Sequence, residues 1–351
     1  MSNRDFEAFQ ATSQAMEKVM MALKDDKAAV IGVYGRGGIG KTTLVKHVGS
    51  QAKKDKLYDQ VIVVVISQSP DLRNIQGTLA DLLGLNLENK SEFEFGYERA
   101  VKRAVRLKEG IMRGNRILII LDDLWKRIEL SAIGIPSCYE LQKCNSKVLL
   151  TTRRLNVCHS MESQTNIPLN ILSEEDSLKL FVKIARKSSD ISNSFYDAAR
   201  KVARECAGLS VALIAVARAL ADKDLDDWKE AARRLKAAHP SNPEDKRDVL
   251  RCIRLSYDYL ETDDAKSFFL LCCLFPEDSD IAIEDLLMYA IGKGLFQDAD
   301  TIKEARARAH SVAKYLQASG LLLESECYGC VRIHNVIRDG AISISLSEDG
   351  P

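Results

Sequence analysis

Gly35-Arg36-Gly37-Gly38-Ile39-Gly40-Lys41-Thr42 decides how this chain folds. The stretch follows an apolar run, Ala28 to Val33, and precedes a helical-looking one, Thr43 to Val48. Strand, glycine loop and helix in that order are the context in which a G-x-x-x-x-G-K-[ST] match becomes a phosphate-binding loop. A backbone that curls closely round a polyphosphate must turn successive N–H groups inward, and glycine permits the required φ values. The helix that follows offers its unpaired N–H groups and partial positive end to the same anion. Lys41 is placed to reach the terminal phosphates, and the hydroxyl of Thr42 to ligate Mg²⁺. Average residue frequencies give such a pattern in on the order of one chain in a hundred of this length. A glycine-rich surface turn is therefore the weaker reading.

Outward from the loop, four apolar runs end in polar residues. Ala28–Val33 enters the loop itself, Val61–Ile66 ends at Ser67-Gln68, Ile117–Leu121 at Asp122-Asp123, and Lys147–Leu150 at Thr151-Thr152-Arg153. The runs are continuous rather than alternating, as expected of parallel strands covered on both faces. Helical stretches at Thr43–Ala52, Leu72–Leu83 and Tyr97–Met112 separate them, which predicts a doubly wound α/β sheet. Ligands in such sheets bind at the carboxyl ends of the strands, so the polar endings fall on one edge. Asp122, after four apolar residues, has the Walker B arrangement that positions Mg²⁺. Asp123 is placed to orient an attacking water, although its side chain is shorter than the glutamate many hydrolases use there. Arg153 is placed to sense a γ-phosphate, because a guanidinium bridges two phosphate oxygens.

Residues 5–24 read as an amphipathic lead-in helix with Phe6, Phe9, Met16, Val19, Met20 and Leu23 at its apolar positions. From Ser173 onward the strands give way to helices at Leu172–Lys187, Phe195–Cys206, Leu209–Ala221 and Asp226–Ala237. His239 to Asp245, with two prolines, reads as a linker. Helices follow at Arg247–Leu260, Asp264–Phe275, Ile283–Ile291 and Thr301–Ser319, and short β-like pieces at Leu321–Leu323 and Val331–Ile333 flank a Tyr328-Gly329 turn. The expected divisions are a lead-in helix over 1–27, a P-loop nucleotide-binding domain over 28–170, an all-α bundle over 171–239 and a winged-helix domain over 240–351.

The 351 residues suffice for two or three cores, and 46% hydrophobic with 28% charged residues describes a globular chain. Fifty Lys and Arg balance fifty Asp and Glu, which removes the broad basic field of a dedicated nucleic-acid binder. No apolar run approaches the ~20 residues of a membrane span, no signal peptide opens the chain, and Ser2 excludes N-myristoylation. Nine scattered cysteines fit reduced thiols and a cytoplasmic location. Cys327-x-x-Cys330 reads as two half-buried thiols flanking a turn rather than half of a zinc site.

Beyond the phosphate loop, further motifs stand in a fixed order. They are Val65-Ile66-Ser67-Gln68, Leu118 to Trp125, Lys147 to Arg153, Cys206-Ala207-Gly208-Leu209-Ser210-Val211-Ala212-Leu213, Leu255-Ser256-Tyr257-Asp258, Cys273-Leu274-Phe275-Pro276-Glu277-Asp278 and Val331-Arg332-Ile333-His334-Asn335. Together they resemble the NB-ARC module of plant intracellular immune receptors, especially the coiled-coil class. The resemblance implies a nucleotide-binding sheet, a helical bundle and a winged helix around one nucleotide, with ADP in a closed state and ATP in an open, oligomerising state that triggers defence. By position it implies that Gly35 to Thr43, Arg153, Leu209, Ser210 and His334 meet the nucleotide. Lys41, Asp122 and Asp123 would serve a slow hydrolysis, and Thr42 and Asp122 would serve Mg²⁺. Coiled-coil and leucine-rich-repeat domains, absent from these 351 residues, are the implied partners, and a homo-oligomer is implied when ATP is bound.

Two positions depart from the family pattern. Ser210 stands where proline is usual, and serine is expected to cap the helix it opens. Asn335 stands where aspartate is usual, which removes a charge and predicts weaker retention of ADP. The alternatives to a switch are a turnover ATPase or phosphotransferase, and a related regulator that uses the winged helix on DNA. No acceptor-substrate motif favours the first. The modest basic set Lys303, Arg306, Arg308 and Lys314 is what the second has to offer, and a solvated helix face explains it equally well.

Overall fold

The apolar runs become five parallel strands, β1 (Val30–Tyr34), β2 (Gln60–Val65), β3 (Ile117–Leu124), β4 (Lys147–Thr152) and β5 (Thr165–Pro168), in the order β2-β3-β4-β1-β5. The computed structural model describes residues 9–86, 96–185, 193–238 and 247–348, so the expected linker at His239–Asp245 and Phe6 of the lead-in helix lie outside the described residues. Every residue of β4 and all but one of β3 are buried, which requires cover on both sheet faces and explains why those sequences do not alternate. Helices Lys41–Lys54 and Leu72–Leu83 pack on the sheet, with Ile62, Leu79, Ile119, Leu121 and Val148 among the buried residues.

Three expected strands end later than their apolar runs: β1 at Tyr34, β3 at Leu124 and β4 at Thr152. β3 continues through Asp122 and Asp123 to Leu124, with an irregular register against β4 between Leu121 and Leu124. Asp123 there takes φ +57°, which twists the strand end. β5 was absent from the expectations. It pairs only with β1, at the sheet edge, and its sequence Thr-Asn-Ile-Pro carries a proline and little apolar signal, as an edge permits. Two six-residue helices, Cys138–Lys143 and Leu155–Ser160, were likewise too short to show a period; Ser137 and Glu140 form a capping box at the first.

The lead-in helix, Gln10–Lys24, belongs to the same compact unit, Ala8–Asn170, and buries Ala15, Val19, Ala22 and Leu23. Its last turn is held from the sheet side. The Tyr58 hydroxyl donates to the Leu23 carbonyl at 3.1 Å, and the Lys147 ammonium to the carbonyls of Ala22 and Asp25. A cation suits the partial negative end of a helix.

The second unit runs from Ile171 on. Helices Glu174–Ala185, Asn193–Glu205, Ser210–Ala219 and Leu225–Ala237 pack together, with Trp228 at the centre. Its ring meets Phe181 and Phe195 edge-on, at centroid distances of 5.6 and 5.3 Å, and its indole N–H donates to the Leu220 carbonyl at 2.9 Å. Helices Arg247–Asp258, Asp263–Leu271, Ile283–Gly292, Ile302–Ala318 and Asn335–Glu348 follow. A three-stranded antiparallel sheet accompanies them, made of β6 (Ile281–Ala282), β7 (Leu323–Glu324) and β8 (Cys330–Arg332) in the order β6-β8-β7. The C-terminal helix and β6 were not expected: one has weak amphipathic patterning and the other is two residues long.

Candidate functional site

The glycine loop leaves β1 at Gly35, and two different constraints select its glycines. Gly40 takes φ +98° as the residue before helix Lys41–Lys54, and a Cβ there would meet nothing within 4 Å; the torsion, not space, demands glycine. At Gly35 the limit is room, since a Cβ would stand 2.4 Å from the Leu169 carbonyl oxygen and 2.5 Å from the Ile39 side chain. Ile39 is buried and anchors the loop, while Arg36, in the same loop, is exposed. With Gly40 as its N-cap, the helix has no N-cap side chain on its first N–H groups, and a fourteen-residue helix so opened suits an anion.

Lys41 is the first residue of that helix and is only 7% exposed. Its ammonium curls back to donate to the carbonyls of Gly35 at 2.8 Å and Arg36 at 2.9 Å, tying the two ends of the loop together. Burial pushes its pKa down to about 8, and Arg153 adds to the fall; Asp123 and Asp122 oppose it. Thr42 is exposed beside it, and Thr43 half-buried.

β3 and β4 bring the opposing groups to the same sheet edge. Asp122 is 2% exposed and pairs in register with Val65 of β2. The Thr151 hydroxyl donates to its carboxylate at 2.5 Å, and the Thr42 hydroxyl also bonds it. Burial nevertheless raises its pKa above the usual carboxylate range; the hydroxyls and Lys46 offset only part of that cost. The residue that sequence reading left without a role is Thr151. Its oxygen accepts the Asp123 N–H at 2.8 Å while its proton goes to Asp122, so one hydroxyl fixes both aspartates. The register that sets Thr151 opposite Val33 at the end of β1, beside the loop, is what gives it this role, and no local sequence pattern shows it.

Asp123 points to the next arginine. Its carboxylate stands 3.5 Å from Nη2 of Arg153, and the guanidinium lies over the Trp125 ring, 4.1 Å from the centroid. Both partners of the ion pair are under one-fifth exposed, so Arg153 is a fixed cation at the strand tips and not the solvated arginine that the position alone allows. Trp125, which the sequence pattern leaves without a role, is the platform. Its Nε1 is buried and finds no hydrogen-bond partner among the described residues.

The structure thus gathers the Gly35–Thr43 loop, Asp122, Asp123 and Arg153 along the carboxyl edge of one sheet. Leu209, Ser210 and His334 lie in the second unit. Leu209 is buried and is itself the N-cap of helix Ser210–Ala219; Ser210 is the first helical residue, and no side chain caps that helix. The expected capping role of Ser210 is therefore corrected. The first helical position is also one where proline is favoured, which accounts for the family's usual residue there. His334 is half-buried, and its Nδ1 accepts the N–H of Val336 at 3.1 Å at the start of helix Asn335–Glu348. Asn335 is 8% exposed and donates its amide to the Asp278 carboxylate at 3.1 Å, so the lost charge at this position brings a hydrogen bond with it.

The donor set fits a nucleoside polyphosphate with its cation. An uncapped helix start and a buried lysine suit the anion, while a desolvated carboxylate beside a threonine hydroxyl suits a divalent ion. No helix among the described residues is long and apolar enough to cross a membrane.

The family model for the NB-ARC domain matches residues 12–190. The chain is 34% identical over 346 residues to the Arabidopsis thaliana disease resistance protein At4g27190, covering 96% of this chain and 34% of that protein. It is 32% identical over 336 residues to the Arabidopsis thaliana disease resistance protein UNI, covering 94% of this chain and 36% of that protein. It therefore spans about a third of the length of these curated relatives. Among solved structures, a signal transduction ATPase with numerous domains and a tetratricopeptide repeat sensor, from Pyrococcus horikoshii, aligns at a TM-score of 0.53 with 16% identity. That alignment covers 97% of this chain and 45% of the other, and it bears on the fold. With over half of its residues matched, and with the glycine loop and strand-tip aspartates in one P-loop sheet, the chain belongs to the NB-ARC family.

Proposed function

We propose that this chain is the ADP/ATP-operated switch of a plant intracellular immune receptor, resting with ADP, active with ATP, and triggering defence. The observation that carries the reading is the pair of buried, oppositely charged groups at the loop. Burial pushes the pKa of Lys41 down to about 8 and raises that of Asp122, and nearby opposite charges offset only part of a cost that a magnesium nucleotide would relieve. In this reading the loop N–H groups and Lys41 bind the phosphates, Thr42 and Asp122 hold Mg²⁺, and Arg153 faces the γ-phosphate. Bound Mg²⁺ would supply positive charge against the phosphate oxygens. Leu209, Ser210 and His334 enter as nucleotide-side residues of the second unit, on the resemblance alone.

A switch needs different affinities for its ligand in two states, and slow turnover so that each state persists. Engagement of Asp123 by Arg153 and Thr151, and its short side chain, accord with slow hydrolysis. Division of the second unit into a bundle over 171–239 and a winged helix over 240–351 is part of the same proposal, supported by the small β6-β8-β7 sheet. So are cytoplasmic residence, coiled-coil and leucine-rich-repeat partners, and a homo-oligomer in the ATP state. The DNA-binding alternative loses ground on helix Ile302–Ala318. Arg306 pairs with Glu284 at 2.7 Å, and Arg308 pairs with Asp298 and Glu304. Calorimetric titration with ADP and ATP in Mg²⁺ tests the proposal: one site per chain is expected, with turnover well below ~1 s⁻¹. No binding, or sustained fast turnover, would remove it.

A further inference from the structure

Cys327 and Cys330 are taken up by none of the chemistry above. They close a tight turn between β7 and β8, in which the Cys330 N–H donates to the Cys327 carbonyl at 3.2 Å and Gly329 takes φ +75°. Tyr328 at the tip is fully exposed. Sequence reading had both thiols half-buried; Cys330 is, but Cys327 is exposed. The two sulfurs stand 3.2 Å apart, so they need to approach by about 1 Å to reach disulfide length. The turn is anchored at its base. Asp280 accepts from Arg332 on β8 and from Ser325 beside β7, and the Gly329 carbonyl accepts the Ile283 N–H at 3.0 Å.

A second thiol pair supplies the contrast. Cys206 and Cys252 are also hydrogen-bonded to each other, but both are 1% exposed or less. No external reagent reaches them without unfolding, and that bond, with burial, holds the Cys206 thiol protonated. Proximity alone therefore does not single out Cys327 and Cys330. Proximity with exposure does.

We propose that Cys327 and Cys330 form a thiol–disulfide exchange site, which a small-molecule disulfide oxidises to an intramolecular bridge across the hairpin tip. The Cys327 thiolate attacks one sulfur of the oxidant RSSR, forming a mixed disulfide and releasing one thiol. The Cys330 thiolate then attacks the Cys327 sulfur and releases the second. Two electrons pass from the protein to the oxidant, and the two cysteine protons leave with the two RSH molecules. The hydrogen bond to Cys327 raises the pKa of Cys330, which suits it to the later, resolving step.

The test exploits Tyr328, which lies between the two sulfurs. The protein is incubated with oxidised glutathione, quenched in acid, alkylated and cut with chymotrypsin. Intact mass is expected to fall by two hydrogens, with two thiols lost to alkylation. Cleavage after Tyr328 should leave two peptides that separate only on reduction. Cys330→Ser should stop at a glutathione adduct on Cys327, and Cys327→Ser should give no bridge. Glutathione stably attached at both positions of the natural protein, a bridge at Cys206–Cys252 instead, or no oxidation would each overturn the proposal.

Discussion

Two carboxylates in this molecule, Asp122 and Asp278, are held in opposite ways. Asp122 sits at a strand tip with neutral hydroxyls as its direct partners, and burial raises its pKa. Beside it Lys41 is buried as well, with its pKa pushed down to about 8. Asp278, in the second unit, receives the amide N–H of Asn335 within the fold, while the Asn335 amide oxygen is buried and accepts no hydrogen bond among the described residues. The first arrangement leaves both signs of charge short of solvation, a cost that only a ligand carrying both signs removes. In the second, the carboxylate itself has a donor from its own unit, so no charge is left waiting for a ligand. The difference separates a binding site from a structural contact without reference to any relative.

The largest expected effect falls on the first arrangement. Lys41→Met removes the charge-assisted bonds to phosphate and should weaken ADP and ATP binding roughly a hundredfold. Thermal stability without nucleotide should change little, because loss of the two bonds to the loop carbonyls is offset by removal of the buried charge. A large loss of stability would mean that Lys41 is a structural residue and would collapse the comparison. The second arrangement should respond the other way. Asn335→Asp places a carboxylate against Asp278 and should cost about 1–3 kcal/mol in urea unfolding. That cost should shrink as pH falls, because a shared proton relieves the repulsion. An unchanged unfolding midpoint would show that the two carboxylates do not repel. Comparing nucleotide release by this variant and the natural protein separates the local effect from any effect on ADP retention.

Asp122→Asn sharpens the contrast further. The folded pKa of Asp122 lies above its unfolded value, so ionisation disfavours the fold, by nothing at low pH and increasingly as pH rises through the folded pKa. The variant without nucleotide should therefore gain melting temperature over the natural protein as pH rises, while its affinity for the magnesium nucleotide drops. Smallest is the proton linkage at Lys41. Its pKa of about 8 should rise when phosphate binds, so binding at pH 8 should take up about half a proton, seen as a dependence of calorimetric heat on buffer ionisation. Affinity should weaken above that pH as the unbound lysine loses its charge.

Much of the first unit is legible in the amino-acid sequence. The continuous runs at Ile117–Leu121 and Lys147–Leu150 could only be strands covered on both faces, and the loop before Lys41 fixed which edge mattered. What escaped was whatever has no period. β5 sits at an edge and needs little apolar sequence, and β6 is two residues long. The roles of Thr151 and Trp125 depend on register and ring placement across strands, which no local pattern encodes. Ser210 misled because serine favours N-caps, whereas Gly208 at φ +67° and the extended Leu209 start the helix one residue earlier than a serine cap would. The bond between Asn335 and Asp278 joins two motifs 57 residues apart, so each read correctly alone still hid the contact.

The most direct measurement is the identity and amount of nucleotide released when the freshly purified chain is denatured. Close to one ADP per chain is expected, lost in Lys41→Met. A chain that carries no nucleotide, and takes up neither ADP nor ATP with Mg²⁺ when they are supplied, would contradict the account.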